Sequence, residues 1–121
     1  MTMEQANEAY GIPPAILREY ERLAACKAQR RGMAAQEYDE RDLERMSLMM
    51  TLHDIGFTAG QVETYMRLLL QGDDTAHERL RMLNDRRRCT LEEIHLRERQ
   101  MDRLDYLRHE MRKTENKHRQ E

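Results

Sequence analysis

The chain has 121 residues, of which 36% are charged and 5% are aromatic, and this composition favours one small helical domain with an extended element over a large core. No run of about 18 apolar residues occurs, which excludes a membrane span, and the first residues lack the basic-then-apolar pattern of an export signal. Two cysteines, Cys26 and Cys89, are too few for a disulfide scaffold, so we expect a cytoplasmic protein.

The first predicted elements are two short helices joined by a turn. Residues 2–9 have capping and apolar spacings typical of a helix. Gly11 provides the turn, because glycine tolerates a positive φ. Pro13 and Pro14 suit the first turn of a second helix, which is expected to end near Leu23. Two short helices joined in this way form a helix-turn-helix.

A basic loop is predicted next. Residues 24–38 lack helical periodicity and contain Arg30 and Arg31, which indicates an exposed loop or a short hairpin. Asp39 is then expected to cap a third helix over residues 40–55. This helix is apolar over much of its surface, so it is predicted to lie at the centre of the domain.

A fourth helix follows. Gly56 is expected to end the third helix, and Thr58 and Gln61 have the spacing of a capping box. The fourth helix is predicted to end at Gly72, where the chain turns into its last third.

The last third is predicted to be one long helix. Thr75 and Glu78 have capping-box spacing, and no Gly or Pro interrupts the chain up to Asn116. A helix of about 40 residues is about 60 Å long and too long to bury its own apolar side. On a seven-residue frame the pattern is that of a two-stranded coiled coil that is antiparallel or has polar interruptions, the alternative being a solvated helix packed on its own domain. Six of the ten core positions are apolar, namely Leu80, Leu83, Ile94, Met101, Leu104 and Met111.

Several stretches, in this order, resemble the MerR family of transcription regulators. Residues 11–22, Gly-Ile-Pro-Pro-Ala-Ile-Leu-Arg-Glu-Tyr-Glu-Arg, are similar to the family's Gly-Val-Ser followed by Leu-Arg-Tyr-Tyr-Glu. Residues 38–45 resemble Tyr-Ser-x-x-Asp-Leu-x-Arg, and residues 52–58 resemble Leu-x-x-x-Gly-Phe-Ser. Residues 104–107, Leu-Asp-Tyr-Leu, are similar to the long-helix ends of family members that do not sense metals.

The resemblance implies an all-α fold with at most a small wing hairpin. A winged helix-turn-helix head would occupy residues 1–56, a connector helix residues 57–74, and a coiled-coil dimerisation helix with its tail residues 75–121. The third helix, at the end of the head, would form a two-helix connector together with the fourth. It also implies a homodimer that binds and deforms double-stranded promoter DNA, so that RNA polymerase can engage the promoter.

By position, the resemblance implies DNA contacts from five residues. Arg18 matches an arginine of the recognition helix and would bind a phosphate or a base edge, unless it pairs with a neighbouring carboxylate. Tyr20 matches a family tyrosine that either packs or contacts DNA. Arg30 and Arg31 fall where the wing is expected and would contact phosphates, unless they lie in a solvated loop. Tyr38 would support the wing or reach a phosphate.

Two departures from the family pattern, together with the acidic charge of the front part of the chain, favour an alternative function. Glu19 replaces a tyrosine and would repel phosphates, and Ala34-Ala35-Gln36 replaces the wing's Gly-Tyr-Arg. Residues 1–45 contain 7 Lys and Arg against 9 Asp and Glu, and residues 46–74 contain 1 against 4, so this part of the chain is acidic. The alternative is a coiled-coil interaction protein that kept the fold but lost strong DNA binding.

No metal, cofactor or catalytic site is expected. Cys89 lies about four turns into the long helix, and His95 and His109 are about 21 Å apart along its axis, so they cannot share an ion within one helix. The chain also lacks a nucleophile–base pair and a Gly-rich phosphate loop. A small apolar effector could bind the methionine-rich helices, although such methionines more often fill a core. These are Met46, Met49, Met50 and Met66.

Overall fold

The computed structural model describes residues 3–31 and 38–120, with side chains for residues 4, 5, 7–23 and 38–119. Within these ranges the fold is all-α and contains no strand, which confirms the predicted helix-turn-helix with a long C-terminal helix. No helix in this part of the chain is long and apolar enough to cross a membrane. The helices are α1 (Met3–Tyr10), α2 (Pro14–Arg31), α3 (Glu40–Asp54), α4 (Ala59–Gln71) and α5 (Ala76–Gln120), with a 3₁₀ turn (Asp73–Thr75) before α5.

The chain forms two compact units. The first comprises Met1–Met82 and holds the core, and the second comprises Leu83–Glu121 and contains most of α5. In the first unit α3 packs against both α2 and α4, and α2 also packs against α4. Each fully buried side chain of leucine size contributes roughly 1.5–3 kcal/mol of transfer free energy, and α3 supplies half of the largest ones. The largest are Leu17, Met46, Met49, Leu52, Val62 and Met66.

The turn between α1 and α2 is closed by backbone and side-chain hydrogen bonds. Gly11 has φ 64°, and its N–H donates to the carbonyl of Asn7 at 3.1 Å. The side-chain amide of Asn7 donates to the carbonyl of Ile12 at 2.8 Å. Ile12 is buried, so the turn is anchored in the core before Pro14 begins α2.

The second helix is longer than predicted. It continues to Arg31 instead of ending near Leu23, so the expected loop over residues 24–31 is wrong. The segment contains Ala, Lys, Gln and Arg, which have high helix propensity, and it reaches no glycine until Gly32. Propensity therefore extends the helix although apolar periodicity has ended. The predicted wing, including Ala34-Ala35-Gln36, lies outside the described residues.

The caps of α3 and α4 are as predicted. The Asp39 side chain accepts from the N–H of Asp42 at 2.9 Å, and the Asp42 side chain accepts from the N–H of Asp39 at 2.9 Å. Thr58 and Gln61 form the same reciprocal pair at the start of α4. These capping boxes satisfy amide groups that have no partner within the helix.

Gly56 ends α3 in a Schellman motif. Its φ of 99° allows its N–H to donate to the carbonyl of His53, and the N–H of Phe57 to donate to the carbonyl of Leu52. Phe57 and Leu52 are both buried. The motif fixes the C-terminal end of α3, where His53 lies.

The start of α5 differs from the prediction. Thr75 does not form a capping box with Glu78; its hydroxyl points to the carbonyl oxygens of Leu68, at 2.6 Å, and Gly72, at 2.8 Å. The same hydroxyl oxygen accepts from Nε of Arg79 at 3.1 Å. Thr75 is buried and therefore fastens the start of α5 to the end of α4.

Candidate nucleic-acid interface

The two sides of α2 differ in chemistry. Ile16, Leu17, Tyr20 and Leu23 are buried, and they lie on the side that packs against α3 and α4. Successive residues in a helix are turned by about 100°, which places the exposed residues Ala15, Arg18 and Arg22 together on the opposite side. We call these three residues the exposed face of α2.

The exposed face is cationic. Arg18 and Arg22 are four residues apart, so they lie about 6 Å apart along the helix axis and about 40° apart around it. Neither arginine makes an ion pair or a hydrogen bond within the part of the chain whose side chains are described. The alternative that Arg18 pairs with a neighbouring carboxylate therefore finds no support there.

Glu19 borders the exposed face on one side. Its carboxylate oxygen Oε2 lies 2.9 Å from Nε2 of His53 on α3, and only 13% of its side chain is exposed. The other oxygen, Oε1, is buried and has no hydrogen-bond partner among the described residues. The carboxylate is therefore turned towards α3 and away from the exposed face of α2.

Glu21 borders the exposed face on the other side. The hydroxyl of Tyr38 donates to its Oε1 at 2.7 Å. Burial raises the pKa of the Tyr38 hydroxyl above its usual value, and the hydrogen bond to Glu21 adds to that shift. Tyr38 therefore stays a neutral donor at ordinary pH and keeps this second carboxylate engaged.

Tyr20 joins α2 to the start of α3. Its hydroxyl donates to Oδ1 of Asp42, the residue that also closes the capping box. Burial, followed by this hydrogen bond, raises the pKa of Tyr20 to about 12. The rings of Tyr20 and Tyr38 are tilted by 51° with centroids 6.3 Å apart. The two tyrosines thus connect α2, the segment before α3, and α3 itself.

Of the five predicted DNA-binding residues, the structure exposes one and buries two. Arg18 lies on the exposed face, whereas Tyr20 and Tyr38 are buried and both hydroxyls are engaged within the protein. Arg30 and Arg31 belong to α2 and not to a loop, and their side chains are not among those that the structure describes. Arg22 was missed, although its four-residue spacing from Arg18 places both on one helical face.

The predicted dimerisation residues leave an apolar stripe on α5. Leu83 is half-buried, whereas the other five predicted core residues are exposed, with Met111 exposed to 67%. Large apolar side chains with this spacing on a long helix are typical of a surface that binds another helix. The exposed five are Leu80, Ile94, Met101, Leu104 and Met111.

The remaining candidate site residues are Cys89 on α5 and the methionines of α3 and α4. Cys89 is exposed, and no group of three or more potential metal ligands occurs among the described side chains. Met46, Met49 and Met66 are fully buried between the helices of the first unit, where they fill the core.

Comparison with known proteins decides the family. A family model for MerR HTH regulatory proteins matches residues 1–69, which is more than half of the chain. The chain belongs to the MerR family. Its head is therefore that of a DNA-binding transcription regulator, and the MerR resemblance is confirmed. No curated protein and no solved structure gives a significant match. The matched residues contain α1, α2, α3 and most of α4, so both sides of α2 described above belong to the MerR region.

Proposed function

We propose that this MerR-family protein is a homodimeric regulator whose α2 enters the major groove of double-stranded promoter DNA. The observation that carries the proposal is the exposed face of α2, where Arg18 and Arg22 are free of described partners and both bordering carboxylates are engaged elsewhere. Arginines presented in this way suit phosphate oxygens and the edges of guanine.

The other predicted site residues have different roles in this proposal. Tyr20 and Tyr38 position α2 through Asp42 and Glu21, since their hydroxyls are already bound. Arg30 and Arg31, at the end of α2, contact the DNA backbone. The apolar stripe of α5 pairs antiparallel with that of a second copy and sets the distance between the two heads.

The proposed division of labour follows from these roles. Residues 1–56 bind DNA, residues 57–74 connect, and residues 75–121 dimerise. With two heads fixed at one distance, contacts to both half-sites offset the cost of bending and twisting the duplex, which amounts to several kcal/mol. The deformed promoter is then presented to RNA polymerase. Of the four methionines that could bind a small apolar effector, Met46, Met49 and Met66 fill the core and Met50 is half-buried, so we propose no effector.

The test is fluorescence anisotropy with duplex DNA from upstream of the protein's own coding sequence and a scrambled duplex, at several salt concentrations. We expect specific binding that weakens as salt rises, and Arg18→Ala and Arg22→Ala should each reduce the slope of log affinity against log salt by about 0.9 for a lost phosphate contact. Arg99→Ala is the control, because Arg99 is exposed on α5 and lies at an outer position of the seven-residue frame.

Two results would contradict the proposal. Unchanged affinity and slope for Arg18→Ala and Arg22→Ala would show that the exposed face of α2 does not contact DNA. If the intact dimer bound the upstream and scrambled duplexes equally, the alternative of a coiled-coil interaction protein would be favoured instead.

A further inference from the structure

The contact between Glu19 and His53 has a direct bearing on how α2 meets DNA. Glu19 lies next to Arg18 in the helix, turned by about 100° from it, and so stands at the edge between the exposed and the buried sides. Its side chain takes the inward orientation, with Oε2 against Nε2 of His53. His53 lies 34 residues later, near the C-terminal end of α3.

The inward orientation depends on His53. A carboxylate is costly to bury unless its oxygens are hydrogen-bonded. Among the described residues, Glu19 has one such partner, since Oε1 has none and Oε2 is bound to His53. If the imidazole were removed, the carboxylate would regain solvation by rotating outward. That rotation brings its charge to the border of the exposed face, beside Arg18.

We propose that His53 is a positioning residue for DNA binding, which acts by holding the Glu19 carboxylate away from the phosphates. The proposal rests on the proposed function, in which the exposed face of α2 meets DNA. It explains how a MerR chain can carry a glutamate at this place in α2. The charge is retained, but it is directed into the protein and paired with α3.

The experiment is a double-mutant cycle on DNA affinity with four full-length proteins: the unmodified chain, His53→Ala, Glu19→Gln and the double variant. We expect His53→Ala to weaken binding about three- to tenfold, the effect of one negative charge several ångströms from one or two phosphates. Glu19→Gln should bind at least as well as the unmodified chain. The double variant should recover the affinity of Glu19→Gln, because no released carboxylate remains.

Two further measurements separate this role from a merely structural one. The defect of His53→Ala should shrink as salt rises, because screening weakens repulsion between charges. His53→Gln retains an N–H donor and should bind nearly as well as the unmodified chain. His95→Ala and Glu63→Gln are matched controls, since both residues are exposed and lie on α5 and α4. Circular dichroism and thermal unfolding establish that each variant is folded.

The outcomes distinguish the two proposals. If the unmodified chain shows no salt-sensitive DNA binding, the proposed function fails. If it binds and the double variant is as weak as His53→Ala, the positioning role of His53 is refuted while the proposed function stands. Unchanged binding by a folded His53→Ala variant refutes it as well.

Discussion

Removing the Tyr20 hydroxyl should weaken the contact between α2 and α3, because that hydroxyl donates a hydrogen bond to Asp42. In Tyr20→Phe the buried ring remains, but Asp42 loses the hydrogen bond to its Oδ1 and keeps the one from the N–H of Asp39 to its Oδ2. The net value of one hydrogen bond to a charged group is about 1.5–3 kcal/mol, and one between neutral groups about 1 kcal/mol. Because Asp42 is half-buried and can regain a water partner, we expect the free energy of unfolding to fall by about 1–2 kcal/mol at neutral pH.

This effect should have a pH signature. The pKa of Tyr20 is raised to about 12 in the folded chain, against about 10 for a free tyrosine. Between these values the unfolded chain releases the proton and the folded chain keeps it, so the stability that this hydroxyl contributes is present below about pH 10 and is lost as pH rises towards 12. Tyr20→Phe lacks this component. The difference in the free energy of unfolding between the unmodified chain and Tyr20→Phe should therefore shrink as pH rises from about 10 to about 12.

The assay is urea denaturation followed by circular dichroism from neutral to alkaline pH. Tyr106→Phe is the control, because Tyr106 is exposed on α5 and loses the same atom. If Tyr20→Phe were as stable as the unmodified chain at neutral pH, or if the difference stayed constant up to about pH 12, the argued role of the hydroxyl would be refuted.

Three further results are expected. Thr58→Ala removes the cap of α4 and should cost about 1 kcal/mol in urea denaturation, whereas the control Thr64→Ala, within α4, should cost less. The pKa of Asp39 is lowered chiefly by the hydrogen bond from the backbone of Asp42, so its ionised form stabilises the fold above the usual carboxyl range. This part of the free energy of unfolding is lost as pH falls through the lowered pKa, and Asp39→Asn should show no such loss in acid unfolding. Leu104→Lys should shift sedimentation towards the monomer, and an unchanged dimer would contradict the proposed stripe.

The ends of most helices could be predicted because their signals are local. A capping box needs two residues three apart, as in Thr58 and Gln61, and a Schellman end needs a glycine such as Gly56. The end of α2 was missed for a different reason. Its last residues have no apolar partner to reveal a face, and only their propensity favours the helix. Thr75 fits the local capping pattern, yet its hydroxyl bonds to carbonyls at the end of α4.

The sequence could assign a residue to the candidate site only where the role requires no more than an exposed place on a helix. Arg18 could be assigned from its place in the MerR pattern, and the structure leaves it exposed. The buried roles of Tyr20 and Tyr38 depend on partners 22 and 17 residues away. The orientation of Glu19 depends on His53, 34 residues later. Such pairings are set by how α2 packs on α3, and no local spacing in one sequence encodes them.

The local arrangement also changes how the acidic charge of the head should be judged. Residues 1–45 have a net charge of −2, which by itself disfavours attraction to DNA. Phosphates at contact distance respond mainly to the nearest groups, because salt screens charges more than about 8–10 Å away. On α2 the nearest exposed groups are Arg18 and Arg22, while Glu19 and Glu21 are engaged with His53 and Tyr38. The salt dependence of binding should therefore follow the number of arginines at the interface and not the net charge of the head.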